Sequence, residues 1–202
     1  MTGILPIKKL KEESTLSDFM EYTILDPGFF APYIGFHEEN VRSLCRGKVD
    51  FQKLHDWYDG YTAGKWHFYN PYAVIQAIDT GIVKSYGPAA SDAELLTGYL
   101  KLPYDGLWEA VVTLLAGTRL LVDTSQFQND TTTFRSRDDV LTLLIHLGYL
   151  SYDYIETGNM EGWKEAEKEK AKEGSSYVFA RLPNLELRKT FAKLLNPGIE
   201  MP

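Results

Sequence analysis

The sequence predicts a mainly α chain of the α+β class. Three observations carry that expectation. Helix start and stop signals recur from residue 36 to residue 195. Strand-like runs are few and short, at 2–7, 119–123, 149–155 and 177–182. The apolar residues between the punctuation marks repeat at helical spacing.

The elements follow in order. Thr2 to Ile7 is apolar and breaks at Lys8, Lys9 and Lys11, so it reads as a strand end entering a loop. Phe36 and Val41 occupy the N′ and N4 positions of a hydrophobic staple around His37. Asp50 caps the next helix, with Phe51, Leu54, Trp57 and Tyr58 on one face and a break at Gly60. Asn70-Pro71 pairs a capping side chain with a proline where no amide donor is needed, and that helix carries Val74, Ile75 and Ile78 to Gly81. Ser91 to Glu94 reads as a capping box before Leu95, Leu96, Tyr99 and Leu100. Asp105 opens a helix with the stripe Leu107, Val111, Leu114 and Leu115, and Arg119 to Asp123 reads as a strand. Ser136 caps a very apolar helix through Val140, Leu143, Leu144 and Leu147, closed by Gly148. Runs 149–155 and 177–182 pair as a hairpin with a long loop, and Pro183-Asn184 caps a last helix with Leu187, Phe191, Leu194 and Leu195.

Residues 91–195 thus give helix, helix, strand, helix, strand, strand, helix. This is the inventory of a winged helix, preceded by a separate helical section. The loop 157–174 carries Glu161, Glu165, Glu169 and Glu173 on one stripe and Lys164, Lys168 and Lys172 on the next, which reads as a solvated insertion held by i,i+3 ion pairs.

Composition narrows the function classes. The 202 residues are 44% hydrophobic and 24% charged, with a formal net charge of −7. That acidity argues against broad phosphate-backbone binding. No apolar run approaches the length of a membrane span, and the N-terminus carries no secretory pattern. The lone cysteine, Cys45, cannot form an internal disulfide, which fits a reducing, cytoplasmic setting.

Catalytic patterns fail one by one. Gly60-Tyr61-Thr62-Ala63-Gly64-Lys65-Trp66 is one residue short of a phosphate-binding loop and ends in Trp66 instead of a hydroxyl residue; a loop between two helices accounts for both glycines. No lysine has Asp or Glu two positions before it, so the nuclease [DE]xK pattern is absent. His37, His55, His67 and His146 form no metal-ligand spacing with Cys45. His146 reads as a boundary residue with a backbone partner, and Cys45 as a buried thiol in preference to a nucleophile paired with His55. The helix 136–147 offers Arg135 and Arg137, then Asp138, Asp139 and aliphatics, which suits a core or protein interface better than a DNA groove. The aromatic run Trp57-Tyr58-Asp59-Gly60-Tyr61, followed by Trp66, Phe68, Tyr69 and Asn70, reads first as core around a turn and second as an interdomain face.

Six strings then become familiar in order: Thr2-Gly3-Ile4-Leu5-Pro6-Ile7-Lys8-Lys9, Trp57-Tyr58-Asp59-Gly60-Tyr61, Tyr69-Asn70-Pro71, Leu115-Ala116-Gly117, Phe127-Gln128-Asn129-Asp130, and Asp138 to Leu144. Together the chain resembles the bacterial AAA-ATPase-like family, whose members usually end in a PD-(D/E)XK nuclease domain. The resemblance implies that residues 1–14 are the end of an ATPase core near sensor 1, 15–90 a helical lid section and 91–202 a winged-helix-like domain. It implies that the Walker motifs lie upstream and the nuclease domain beyond residues 181–188. Thr2 and Lys8 are then the nucleotide-proximal residues, and ATP and magnesium belong to the intact protein, with no cofactor held by this chain. The chain departs from the family's pattern at Leu10 to Glu13, at Tyr86-Gly87-Pro88 and at His37.

The expectation is therefore a non-catalytic coupling piece whose partners are the ATPase core and the nuclease domain. The rivals are a stand-alone interaction module, including self-association, and, ranked lower, a nucleic-acid-binding winged helix.

Overall fold

The computed structural model describes residues 20–87, 90–127, 134–154 and 177–195. Thr2, Lys8 and the charged run 157–174 lie outside the described residues. The chain is mainly α with small antiparallel sheets, as the sequence predicts.

A 3-10 helix, Gly28–Tyr33, leads into α1 (Glu38–Cys45) and α2 (Phe51–Tyr58). In α1 the Asn40 carboxamide oxygen accepts the His37 N–H at 3.0 Å. Asp50 accepts the Lys53 N–H at 2.9 Å and starts α2. Where the sequence suggests a plain loop, the chain forms a hairpin of β1 (Tyr61–Ala63) and β2 (Trp66–Phe68). Three-residue strands leave too little alternation for a periodicity signal, while Gly60 and Gly64, both at positive φ, supply the bends on either side of β1. Helix α3 (Pro71–Thr80) follows, its first amides, Tyr72 and Ala73 N–H, accepted by Asn70. Val41, Leu54, Tyr58, Tyr69, Val74 and Ala77 close over one another as a first apolar core.

Helix α4 (Ala90–Leu100) begins one residue before Ser91, where the sequence reads the start of a capping box. Helix α5 (Leu107–Leu115) is entered through Gly106 at φ 73, one residue after the expected Asp105. Strand β3 (Leu120–Asp123), helix α6 (Arg137–His146), strands β4 (Ser151–Tyr154) and β5 (Tyr177–Arg181), and helix α7 (Leu185–Leu195) complete the chain. The sheet order is β3-β5-β4, antiparallel throughout, with Val178 opposite both Val122 and Tyr154. Leu96, Val111, Val122, Leu144, Tyr152 and Phe191 belong to the second core. Ile24 and Leu25, which precede the first core in sequence, pack against this second one.

One local expectation is corrected, that for His146, and one is met, since Cys45 is a buried thiol as the sequence predicts. The described partner of His146 is the Phe127 ring, stacked at 5.4 Å, and not a backbone group. Burial there pushes its imidazole down to about 4. His55 Nδ1 faces the Tyr69 hydroxyl at 2.9 Å and Asp59 Oδ2 at 3.1 Å, while Cys45 Sγ contacts the Arg42 carbonyl, so the thiol and His55 have separate partners.

Candidate functional site: the seam and its cleft

The two cores meet along a seam built from the aromatic run. Helix α2 ends at Tyr58, whose hydroxyl donates to the Lys84 carbonyl at 2.7 Å and accepts the Lys84 N–H at 3.1 Å. Trp57 turns its ring toward Lys189 of α7, whose ammonium lies 5.1 Å from the ring centroid. The Asp59 carbonyl accepts from the Asn184 amide at 2.8 Å, and the Gly60 carbonyl accepts from Arg181 at 2.8 Å. Asn184 also accepts the Leu187 N–H at 3.2 Å, so one side chain caps α7 and binds the opposite unit. Arg181 is braced in turn by Asp153 at 2.9 Å.

At Gly60 the backbone runs against that of Pro183. The Gly60 φ is +93, and a Cβ there would overlap the Pro183 carbonyl. Beyond it, the buried Thr62 hydroxyl donates to the Tyr152 carbonyl and accepts from Ser151 at 3.1 Å. The Tyr152 hydroxyl donates to the Ile24 carbonyl at 2.6 Å and accepts the Gly64 N–H at 3.3 Å. Burial holds the Tyr58, Tyr61, Tyr69 and Tyr152 hydroxyls well above the usual phenol range, so they stay neutral.

On one side the seam opens into a cleft of about 520 Å³. Tyr61, Asn70, Tyr72 and Tyr86 line it from the first unit, and Tyr149 and Glu186 from the second. Glu186 is fully buried at the start of α7. Its Oε1 accepts the Tyr86 N–H at 2.6 Å, and its Oε2 has no hydrogen-bond partner among the described residues. Burial raises its carboxyl above the ordinary range, opposed by donors from Tyr86, Gly87 and Ser85.

The structure thus brings Trp57, Tyr58, Asp59, Tyr61 and Asn70 to one boundary, with Tyr61 and Asn70 on the cleft itself. Glu186 escapes a sequence reading because it looks like any acidic residue in a helix's first turn; the only signal was its place two residues after Asn184. Among the described residues no group of three or more His, Cys, Asp or Glu side chains could hold a metal ion. No described helix is long and apolar enough to cross a membrane.

The class the fold defines is an α+β chain with two apolar cores locked across a polar seam. Comparison with protein-family models, with curated proteins and with solved structures finds no match.

Proposed function

We propose that the chain is a coupling piece of an AAA-ATPase-like protein, its first unit serving as the lid section and its second as a winged-helix-like domain, with the bond-breaking chemistry carried elsewhere. The observation behind this reading is the seam. Side chains from one unit bind backbone carbonyls of the other at Asp59, Gly60 and Tyr152, so displacement of one unit loads the other directly. A push on α1–α3 travels through rigid helices, which suits transmission between a nucleotide core and a following domain. The β3-β5-β4 order, with the hairpin's second strand central, agrees with a winged-helix arrangement. Val140 to Ile145 of α6 are all buried, which leaves no face of that segment for a DNA groove and favours protein contact.

The test is enzymatic and direct. Purified protein is expected to turn over no ATP above a tag-matched blank and to give no saturable ATP binding. Tight ATP binding by this chain overturns the reading.

A second reading, a stand-alone interaction module, draws on one surface feature. Tyr22, Phe29 and Phe30 form an edge-packed aromatic group, with Phe29 65% and nearby Tyr33 82% exposed. Exposed aromatic patches of this kind commonly mark protein contacts. Light scattering across a concentration series decides for self-association: a constant monomer mass removes it.

A further inference from the structure

The seam cleft combines three things that a structural joint does not require together: room, aromatic walls and a buried carboxylate with one unpartnered oxygen. Its volume of about 520 Å³ falls in the range of small-molecule sites. Four tyrosines, Tyr61, Tyr72, Tyr86 and Tyr149, line it. Tyrosine rings present a negative face that attracts cations, and Tyr86 already has the Lys84 ammonium 5.3 Å from its centroid. Glu186 is 0% exposed, yet among the described residues no lysine or arginine forms an ion pair with it. Buried carboxylates ordinarily carry a paired charge or a full set of donors, and this one leaves Oε2 without either.

We propose that the cleft binds a small organic cation, an amine or a guanidine, with the Glu186 carboxylate as counter-charge and the tyrosine rings as walls. The carboxylate selects charge: an anion meets repulsion, and a neutral apolar ligand leaves the acid unpaired. Glu186 lines the cleft with Oε1 held by the Tyr86 N–H and Oε2 unpartnered, so a cationic donor entering the cleft supplies the hydrogen bond that Oε2 lacks. The net charge of −7 raises the local concentration of cations around the chain. The second concavity, around Tyr104 and Arg135 to Asp138, offers no such group, since Asp138 is occupied by the Asp123 N–H at 3.0 Å and by Arg137 at 3.1 Å. The proposal is independent of the ATPase-like reading and stands or falls without it.

Calorimetric titration of the full chain tests it, with agmatine and benzylamine as probes, acetate as the anionic control, and a glycine-flanked single-arginine peptide as a further arm. Both amines are expected to bind saturably, at a Kd of about 1 mM or tighter, with acetate giving no signal. Glu186→Gln preserves shape and the acceptor for Tyr86 and is expected to weaken binding at least about tenfold, a difference of about 1.4 kcal/mol. Tyr72→Ala, on an exposed rim residue, is expected to weaken it several-fold with the melting temperature unchanged. This variant keeps the test decisive if the Glu186 variant fails to fold. Absence of saturable amine binding overturns the proposal, as does equal affinity in both variants. A peptide that binds more tightly than either amine overturns the small-molecule assignment and points to a partner's basic side chain.

Discussion

At the residue scale, the half-buried His146 and the buried Glu186 respond to pH in opposite directions. His146 titrates at about 4 in the folded chain and near 6.5 when unfolded. Between those values the unfolded chain takes up a proton that the folded chain refuses, so stability falls as pH drops from 6.5 toward 4, by up to about 3 kcal/mol. His146→Leu is expected to flatten that part of a urea-midpoint profile; an unchanged slope removes the assignment. Glu186 has a raised carboxyl, so its contribution is fully present below the unfolded value of 4.5 and is lost as pH rises through the folded value. Glu186→Gln is expected to gain stability relative to the parent as pH rises, again by urea midpoints, and a constant difference from acid to neutral pH contradicts this. Gly60 answers to sterics instead. Its φ of +93 and the overlap of any Cβ with the Pro183 carbonyl predict that Gly60→Ala loses about 1–3 kcal/mol, or more if the seam opens. A midpoint within error of the parent sinks that account.

At the element scale, capping chemistry accounts for most of what the sequence announces. Asn70, Asp50 and Ser136 each accept an N–H in the first turn of the helix they precede, and each is readable because the cap and its helix are neighbours in sequence. Asn70→Ala is expected to cost about 1 kcal/mol, read from thermal or urea unfolding, with Asn70→Gly milder. Strand β3 and the pairing of β4 with β5 are legible from apolar runs bounded by glycine and proline. The β1–β2 hairpin is not, because three residues give a period of two no room to show. The cleft is illegible for a different reason. Tyr61, Tyr149 and Glu186 lie far apart in the chain, and their meeting is set by how two cores dock, which no local pattern encodes. The aromatic run shows the boundary of that problem: its composition marks 57–61 as an edge, but not the partners Pro183, Asn184 and Lys189.

At the scale of the whole molecule, the question is whether two cores make two folding units. Each has its own buried set, Val41 to Ile78 and Leu96 to Phe191, so composition alone allows independent melting. The seam argues against it. Its hydrogen bonds run from side chains to the other unit's backbone, at Asp59, Gly60 and Tyr152, and several partners are buried. Parting the units would strand Thr62, Asn184 and the covered carbonyls during the break, and each unsatisfied buried group costs about 1–3 kcal/mol until water reaches it. Ile24 and Leu25 add a strap, since they precede the first core yet pack on the second and receive hydrogen bonds from Tyr152 and Tyr154. The expected outcome is one cooperative thermal transition, with calorimetric and van't Hoff enthalpies equal. Thr62→Val, which keeps shape and removes the hydroxyl that bridges Ser151 and Tyr152, is expected to lower that single transition by about 1–3 kcal/mol without splitting it. Two resolved transitions in the parent protein would show that the seam is a hinge and that force reaches the second unit through the connecting chain alone.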